Sequence, residues 1–180
     1  SFEALWRAER WGHTVSTAIL RDISESTTTQ SLPRFHNSLH QVLSICSFRS
    51  FTDPNLQRHL DHARLAAMQE IGTCSFQSTK SLLPSMVKLR MVEDVSALLN
   101  CLSADSQSSQ DHLKIQLECW EHWYRSMIYH DFKFVEPALA LHMILLKLFG
   151  DNHIREEHYC LVAKYSMKCN NLAYARAALH

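Results

Sequence analysis

The chain has 180 residues, 46% of them hydrophobic and 20% charged, and its 18 Lys and Arg balance 18 Asp and Glu. That is enough for one domain, or one slice of a larger one, with a sizeable core, and it lacks the basic excess of a dedicated nucleic-acid binder. Only three glycines (Gly12, Gly72, Gly150) and four prolines occur, which excludes many-turned β-sandwiches and barrels, phosphate-cradling glycine loops and the nucleophile elbow.

Helices are predicted over 2–10 and 13–21, followed by a polar connection from Asp22 to Ser31 that is expected to be mobile. A third helix is predicted over 33–48. From Pro54 to about Lys80, the residues Leu56, Leu60, Ala63, Ala67, Ile71 and Cys74 recur at spacings of three and four, which marks one face of a long helix. Asp53 and Pro54 supply its N-cap and first-turn proline, and Gly72 reads as a local weakness rather than a stop. The next helix is predicted over 83–102, with a break open near Val92, and then a second mobile connection from Ser103 to Gln110. The helical period returns at Leu113, Leu117, Trp120, Tyr124 and Met127. From Phe134 to Phe149 nearly every position is apolar, as in a central helix buried on most sides. Glu136, His142 and Lys147 interrupt this run, which is too short to span a membrane. Helices over 154–168 and 172–180 complete the chain. Pro33, Pro84 and Pro137 each suit the first turn of a helix, and no segment alternates with period two for long enough to be a strand.

The fold expected from this pattern is all-α. Ala163, then Ala175 and Leu179, with Asn170 and Asn171 at the turn, match a helix-turn-helix repeat of the tetratricopeptide type, which places small residues where antiparallel helices touch. Phe2 to Leu20, with Ala4, Trp6 and Trp11-Gly12, reads as a degenerate second instance. A solenoid of antiparallel helix pairs follows, and an irregular helical bundle is the alternative. Ser1 is not an initiator methionine and His180 falls inside an alanine-rich helical pattern, so both ends are expected to continue into a longer chain, without a signal peptide.

Chemistry is harder to find. Twelve histidines include His36 and His40 one turn apart, His59 and His62 three apart, and Cys119 with His122. Each pair offers two ligands from one face, but a closed zinc site needs four, and no second pair stands at a familiar spacing. His130-Asp131 is the type of dipeptide found in helical metal phosphohydrolases, with Asp131 as a helix cap the simpler reading. Lys133 follows Asp131-Phe132 where a kinase metal-binding motif needs glycine. The six cysteines contain no C-x-x-C and are read as reduced, mostly packed, intracellular thiols. Trp6, Trp11, Trp120 and Trp123 sit at helical spacing and are read as core. No catalytic residue, metal ligand or cofactor site is assigned to these residues, and no direct nucleic-acid or membrane contact is expected. Ser106-Gln107, Ser109-Gln110 and Thr29-Gln30 are three Ser/Thr–Gln pairs, all in the two polar connections.

Four stretches, in order, resemble the FAT region of the phosphatidylinositol 3-kinase-related protein kinases. Phe2-Glu3-Ala4-Leu5-Trp6-Arg7 followed by Trp11 is similar to E-A-A-W-R…W, and Leu60-Asp61-His62-Ala63-Arg64 to S-L-x-Y-A-R. Ser81-Leu82-Leu83-Pro84 with Leu89 resembles S-L-Y-P…L. Most specific is Asp131-Phe132-Lys133-Phe134-Val135-Glu136-Pro137-Ala138-Leu139-Ala140-Leu141, which resembles D-F-S-F-Q-E-P-I-M-A-L. The similarity fades over Asp22 to Asp53 and Ser103 to Gln110.

The resemblance implies a non-catalytic scaffold of paired helices within one FAT-type helical-repeat domain spanning 1–180, with the kinase domain outside these residues. It further implies contact with that kinase domain and with other proteins, a contribution to homodimer formation through the parent chain, and a nuclear role in DNA-damage signalling. Kinases of this family favour Ser or Thr before Gln, which makes Ser106 and Ser109 candidate phosphosites. Two other readings stay open: a freestanding helical-repeat adaptor, and a helical metal phosphohydrolase using His130 and Asp131.

Overall fold

The computed structural model describes residues 31–48, 53–74, 78–103, 109–150 and 152–179. The predicted helices at 2–10 and 13–21, the degenerate repeat of Phe2 to Leu20, Trp6, Trp11, Thr29 and Ser106 lie outside them. Among the described residues there are seven helices and no strand: α1 (Ser31–Ser47), α2 (Pro54–Thr73), α3 (Thr79–Ser103), α4 (Ser109–Ser126), α5 (Phe132–Phe149), α6 (Asn152–Lys168) and α7 (Leu172–Leu179). The protein is all-α, built of packed helices as in a helical-repeat solenoid. No described helix is long and apolar enough to cross a membrane.

The chain divides into two compact units, Ser1–Glu93 and Asp94–His180. In the first, α1 packs along α2. Phe35, Leu39, Val42 and Leu43 are buried on α1, and Leu60, Ala63 and Ala67 on α2, because spacings of three and four put each set on one face. Asp53 caps α2 by accepting from Asn55 N–H at 2.8 Å. The helix ends at Thr73 and does not reach Lys80: Thr73 Oγ1 donates to the Glu70 carbonyl at 2.8 Å, and Cys74 turns extended while its Sγ donates to the Ser81 carbonyl at 3.2 Å. The Thr73 hydroxyl, with the Cys74 N–H that bonds to the Ile71 carbonyl at 3.1 Å, takes up the last carbonyls in place of further helix. Glu70 itself is buried and bound by Lys88 Nζ at 2.7 and 2.9 Å and by Ser85 Oγ at 3.2 Å, which ties α2 to the first half of α3.

Pro84 and Pro137 are not first-turn prolines. Each is the sixth residue of its helix, α3 and α5 respectively. The helices begin earlier because the Ser78 carbonyl accepts from both Ser81 N–H and Ser81 Oγ, and the Asp131 carbonyl accepts from Phe134 N–H. An early turn therefore forms ahead of the ring, and each proline forfeits one helical bond, to the carbonyls of Lys80 and Lys133. No break occurs at Val92. Ser109 and Gln110, expected in a connection, are the first two residues of α4.

The second unit packs α6 against α4, α5 and α7. Leu113, Leu117, Trp120, Tyr124 and Met127 are all buried, as their period requires. In α5, Val135, Ala138, Leu139, Leu141, His142, Ile144, Leu145 and Leu146 are buried. Gly150 closes this helix where an added Cβ would stand 2.7 Å from the Leu146 carbonyl oxygen.

Candidate functional site

The second unit encloses a polar chain within its apolar core. Asp94 on α3, Trp120 and Tyr124 on α4, His142 on α5 and His158 on α6 are each at most 2% exposed. Asp94 Oδ2 lies 2.9 Å from His142 Nε2, and its Oδ1 accepts from Gln116 Nε2 at 3.1 Å. With the imidazole proton on Nε2 donated to the carboxylate, Nδ1 accepts the Tyr124 hydroxyl proton at 2.5 Å. Trp120 stacks on the His142 ring at 3.9 Å between centroids and 5° between planes, and His158 meets Trp120 edge-on at 5.5 Å.

A carboxylate, an imidazole and a hydroxyl in series is the order of a nucleophilic relay. Here, however, the hydroxyl belongs to a tyrosine that is 1% exposed. A nucleophile must meet its substrate, so the work of this site is structural: Asp94, His142 and Tyr124 give one another the partners that water cannot supply, whereas Trp120 Nε1 and both ring nitrogens of His158 are buried without a hydrogen-bond partner. It bonds α3 to α5 and α5 to α4 by directional contacts that apolar packing lacks.

His158 makes a pH prediction. Burial first, then the neighbouring His142, lowers its pKa from 6.5 to about 3. Below pH 6.5 the unfolded chain takes up a proton there that the folded chain refuses until about pH 3. Stability from this group is thus full above pH 6.5 and falls as the pH drops towards 3, by up to about 1.4 kcal/mol per pH unit. Urea unfolding at stepped pH should show that slope, and His158→Met should remove about one proton's worth of it. The same slope in both proteins would refute the assignment.

The α6–α7 turn is built by two asparagines. Asn170 adopts φ 59, a left-handed conformation that Asn tolerates better than most residues. Its N–H bonds to the Met167 carbonyl, and Asn171 N–H to the Ser166 carbonyl at 2.8 Å, a Schellman closure of α6. Asn171 Oδ1 then accepts from Tyr174 N–H at 3.1 Å, the N-cap bond of α7. Ala163 and Ala175 are buried, at 3% and 4% exposure, on two helices that pack together. Leu179 does not share that position: it is 60% exposed, and Ala178 takes the buried place one turn beyond Ala175.

Other sequence candidates stay apart. His40 is buried on α1 while His36 is half-exposed, His59 and His62 meet ring to ring at 6.4 Å, and Cys119 and His122 face outward. Among the described residues no three His, Cys, Asp or Glu gather where they could hold a metal ion. α4 ends at Ser126, His130 is exposed in the following turn, and Asp131 stands at the N-cap position of α5 without a side-chain cap bond, pairing with Lys133 at 3.4 Å. All six cysteines are free thiols. Burial pushes Cys46 up to about 12, which makes that thiol inert, whereas Cys119 and Cys160 are exposed.

The sequence matches the FAT domain family over residues 1–180. The chain belongs to the FAT domain family. It is 25% identical over 166 residues to the serine-protein kinase ATM of Sus scrofa, covering 89% of this chain and 5% of that protein. No solved structure matches it. A FAT domain is a non-catalytic region of such a kinase, and this one corresponds to a small part of the ATM chain. In the FAT domain the stretch from Asp131 to Leu141, the most specific part of the resemblance, forms the start of α5 and places Val135, Ala138, Leu139 and Leu141 in the core.

Proposed function

We propose that this FAT domain is a regulatory scaffold of a DNA-damage-responsive serine/threonine protein kinase acting in the nucleus. It packs against the kinase domain of its own polypeptide, meets other proteins, contributes to a homodimer of the parent chain and uses no cofactor of its own. The family match over the full 180 residues carries this reading. The packed helices support it, since elements joined by buried directional bonds move as bodies and can pass a partner's binding energy to a distant site. The test is a kinase assay on the full-length polypeptide. Ala175→Arg, which disturbs the α6–α7 pair, should alter activation while the isolated kinase domain keeps its rate. Unaltered activation in an otherwise disturbed scaffold would remove the reading.

Phosphorylation of Ser106 and Ser109 is proposed as a modulator of docking. Ser109 opens α4, where a phosphate's charge would meet the positive end of the helix dipole and strengthen the first turn. Phosphopeptide mass spectrometry of cells after DNA damage should find one or both modified; neither modified at full coverage would dispose of the proposal.

A further inference from the structure

In the first unit, α1 and α2 leave between them a cleft of about 300 Å³, walled by Arg34, Asn37 and Ser38 on α1 and by His62, Leu65 and Gln69 on α2. Among the described residues no carboxylate lines it. α1 has no Asp or Glu, and both acidic side chains of α2 are engaged elsewhere: Asp61 by Gln57 and Arg64, and Glu70 by Lys88 and Ser85. Among the described residues the charge facing the cleft is therefore that of the exposed Arg34 guanidinium, with an imidazole opposite.

One more feature marks the place. Leu65 and Met68, one turn apart on α2, are 53% and 55% exposed and add an apolar edge. The volume is at the low end for ligand pockets, which suits a few residues of extended chain and not a folded domain.

We propose that this cleft docks a short acidic segment of a partner protein. A carboxylate sits between Arg34 and His62, and an apolar side chain rests on Leu65 and Met68. Charge complementarity selects the acidic partner over a basic one, because an incoming Lys or Arg would meet Arg34 with no carboxylate to offset the repulsion. The inference rests on the scaffold reading and gives it a partner chemistry.

The test uses the full-length protein and fluorescent synthetic peptides that alternate Glu or Asp with Leu, with Lys-substituted versions as controls, read by anisotropy. The acidic peptides should bind and weaken with added salt. Arg34→Glu should reduce their affinity about tenfold or more. Leu65→Ser, at an exposed position on the cleft wall, should also weaken binding while leaving the melting temperature nearly unchanged; a purely structural Leu65 would not separate the two readouts. If Leu65→Ser does not fold, Arg34→Glu alone decides. Absence of acidic-peptide binding, equal binding of the Lys controls, or unchanged affinity in a folded variant would overturn the proposal. So would sedimentation showing a dimer that Arg34→Glu abolishes, which would give the cleft to a second copy. Each of these outcomes leaves the scaffold reading to its own kinase assay.

Discussion

Asp94→Ala should destabilise the protein by about 3 to 5 kcal/mol, the usual loss when one partner of a buried polar pair is removed. The substitution leaves His142 Nε2–H and the Gln116 amide without their acceptor, and His142 has no solvent to turn to at 0% exposure. The cost is mainly that of orphaned donors, with a small cavity added. Glu93→Ala, one residue earlier, is the control. Glu93 reaches an exposed ion pair with Arg64, and its loss should cost about 1 kcal/mol or less. Urea unfolding of the two variants gives both numbers, and adding His142→Leu and Tyr124→Phe to Asp94→Ala should recover part of the loss, because of the donors in the chain only the half-buried Gln116 amide then lacks its acceptor. Equal destabilisation by Asp94→Ala and Glu93→Ala would show that the buried chain is not what holds the second unit.

Much of this fold is written in local spacing. The positions Leu113, Leu117, Trp120, Tyr124 and Met127 were separable as one face from the sequence because a helix repeats every 3.6 residues, and all five are buried. The N-cap at Asp53 is legible for the same reason: its partner, Asn55, is two residues away. What the sequence hides is set by competition or distance. The end of α2 at Thr73 depends on the Thr73 hydroxyl taking the Glu70 carbonyl and on Cys74 Sγ reaching the Ser81 carbonyl of α3, and the place of Pro84 depends on Ser78 and Ser81 starting a turn ahead of it. Asp94 and His142 are 48 residues apart, beyond any helical period. The single hint was that His142 interrupts the most apolar helix, where a polar side chain needs a buried partner. Leu179 was misplaced by one position, and at 100° per residue that is enough to turn a side chain from the core to solvent.

Ala175→Arg should cost about 3 kcal/mol or more, combining overpacking with an unpaired charge in a site 4% exposed. The same substitution at Ala177, exposed on the same helix, should change stability by about 0.5 kcal/mol or less. The pair isolates position from chemistry, because helix propensity, added length and added charge are identical in the two proteins. α7 has eight residues, too few for a helix to persist in water without packing. Its order depends on the Asn171 cap and on the face it turns to α6. A guanidinium forced between α6 and α7 should therefore release α7 as a unit rather than loosen it, and hydrogen exchange should show protection lost from Leu172 to Leu179 with α4 and α5 unchanged. In the full-length polypeptide the Ala175→Arg protein should then respond abnormally to activation, while Ala177→Arg responds as the parent does. Equal exchange and equal activation in the two variants would mean that the α6–α7 pair is not a working part of the scaffold.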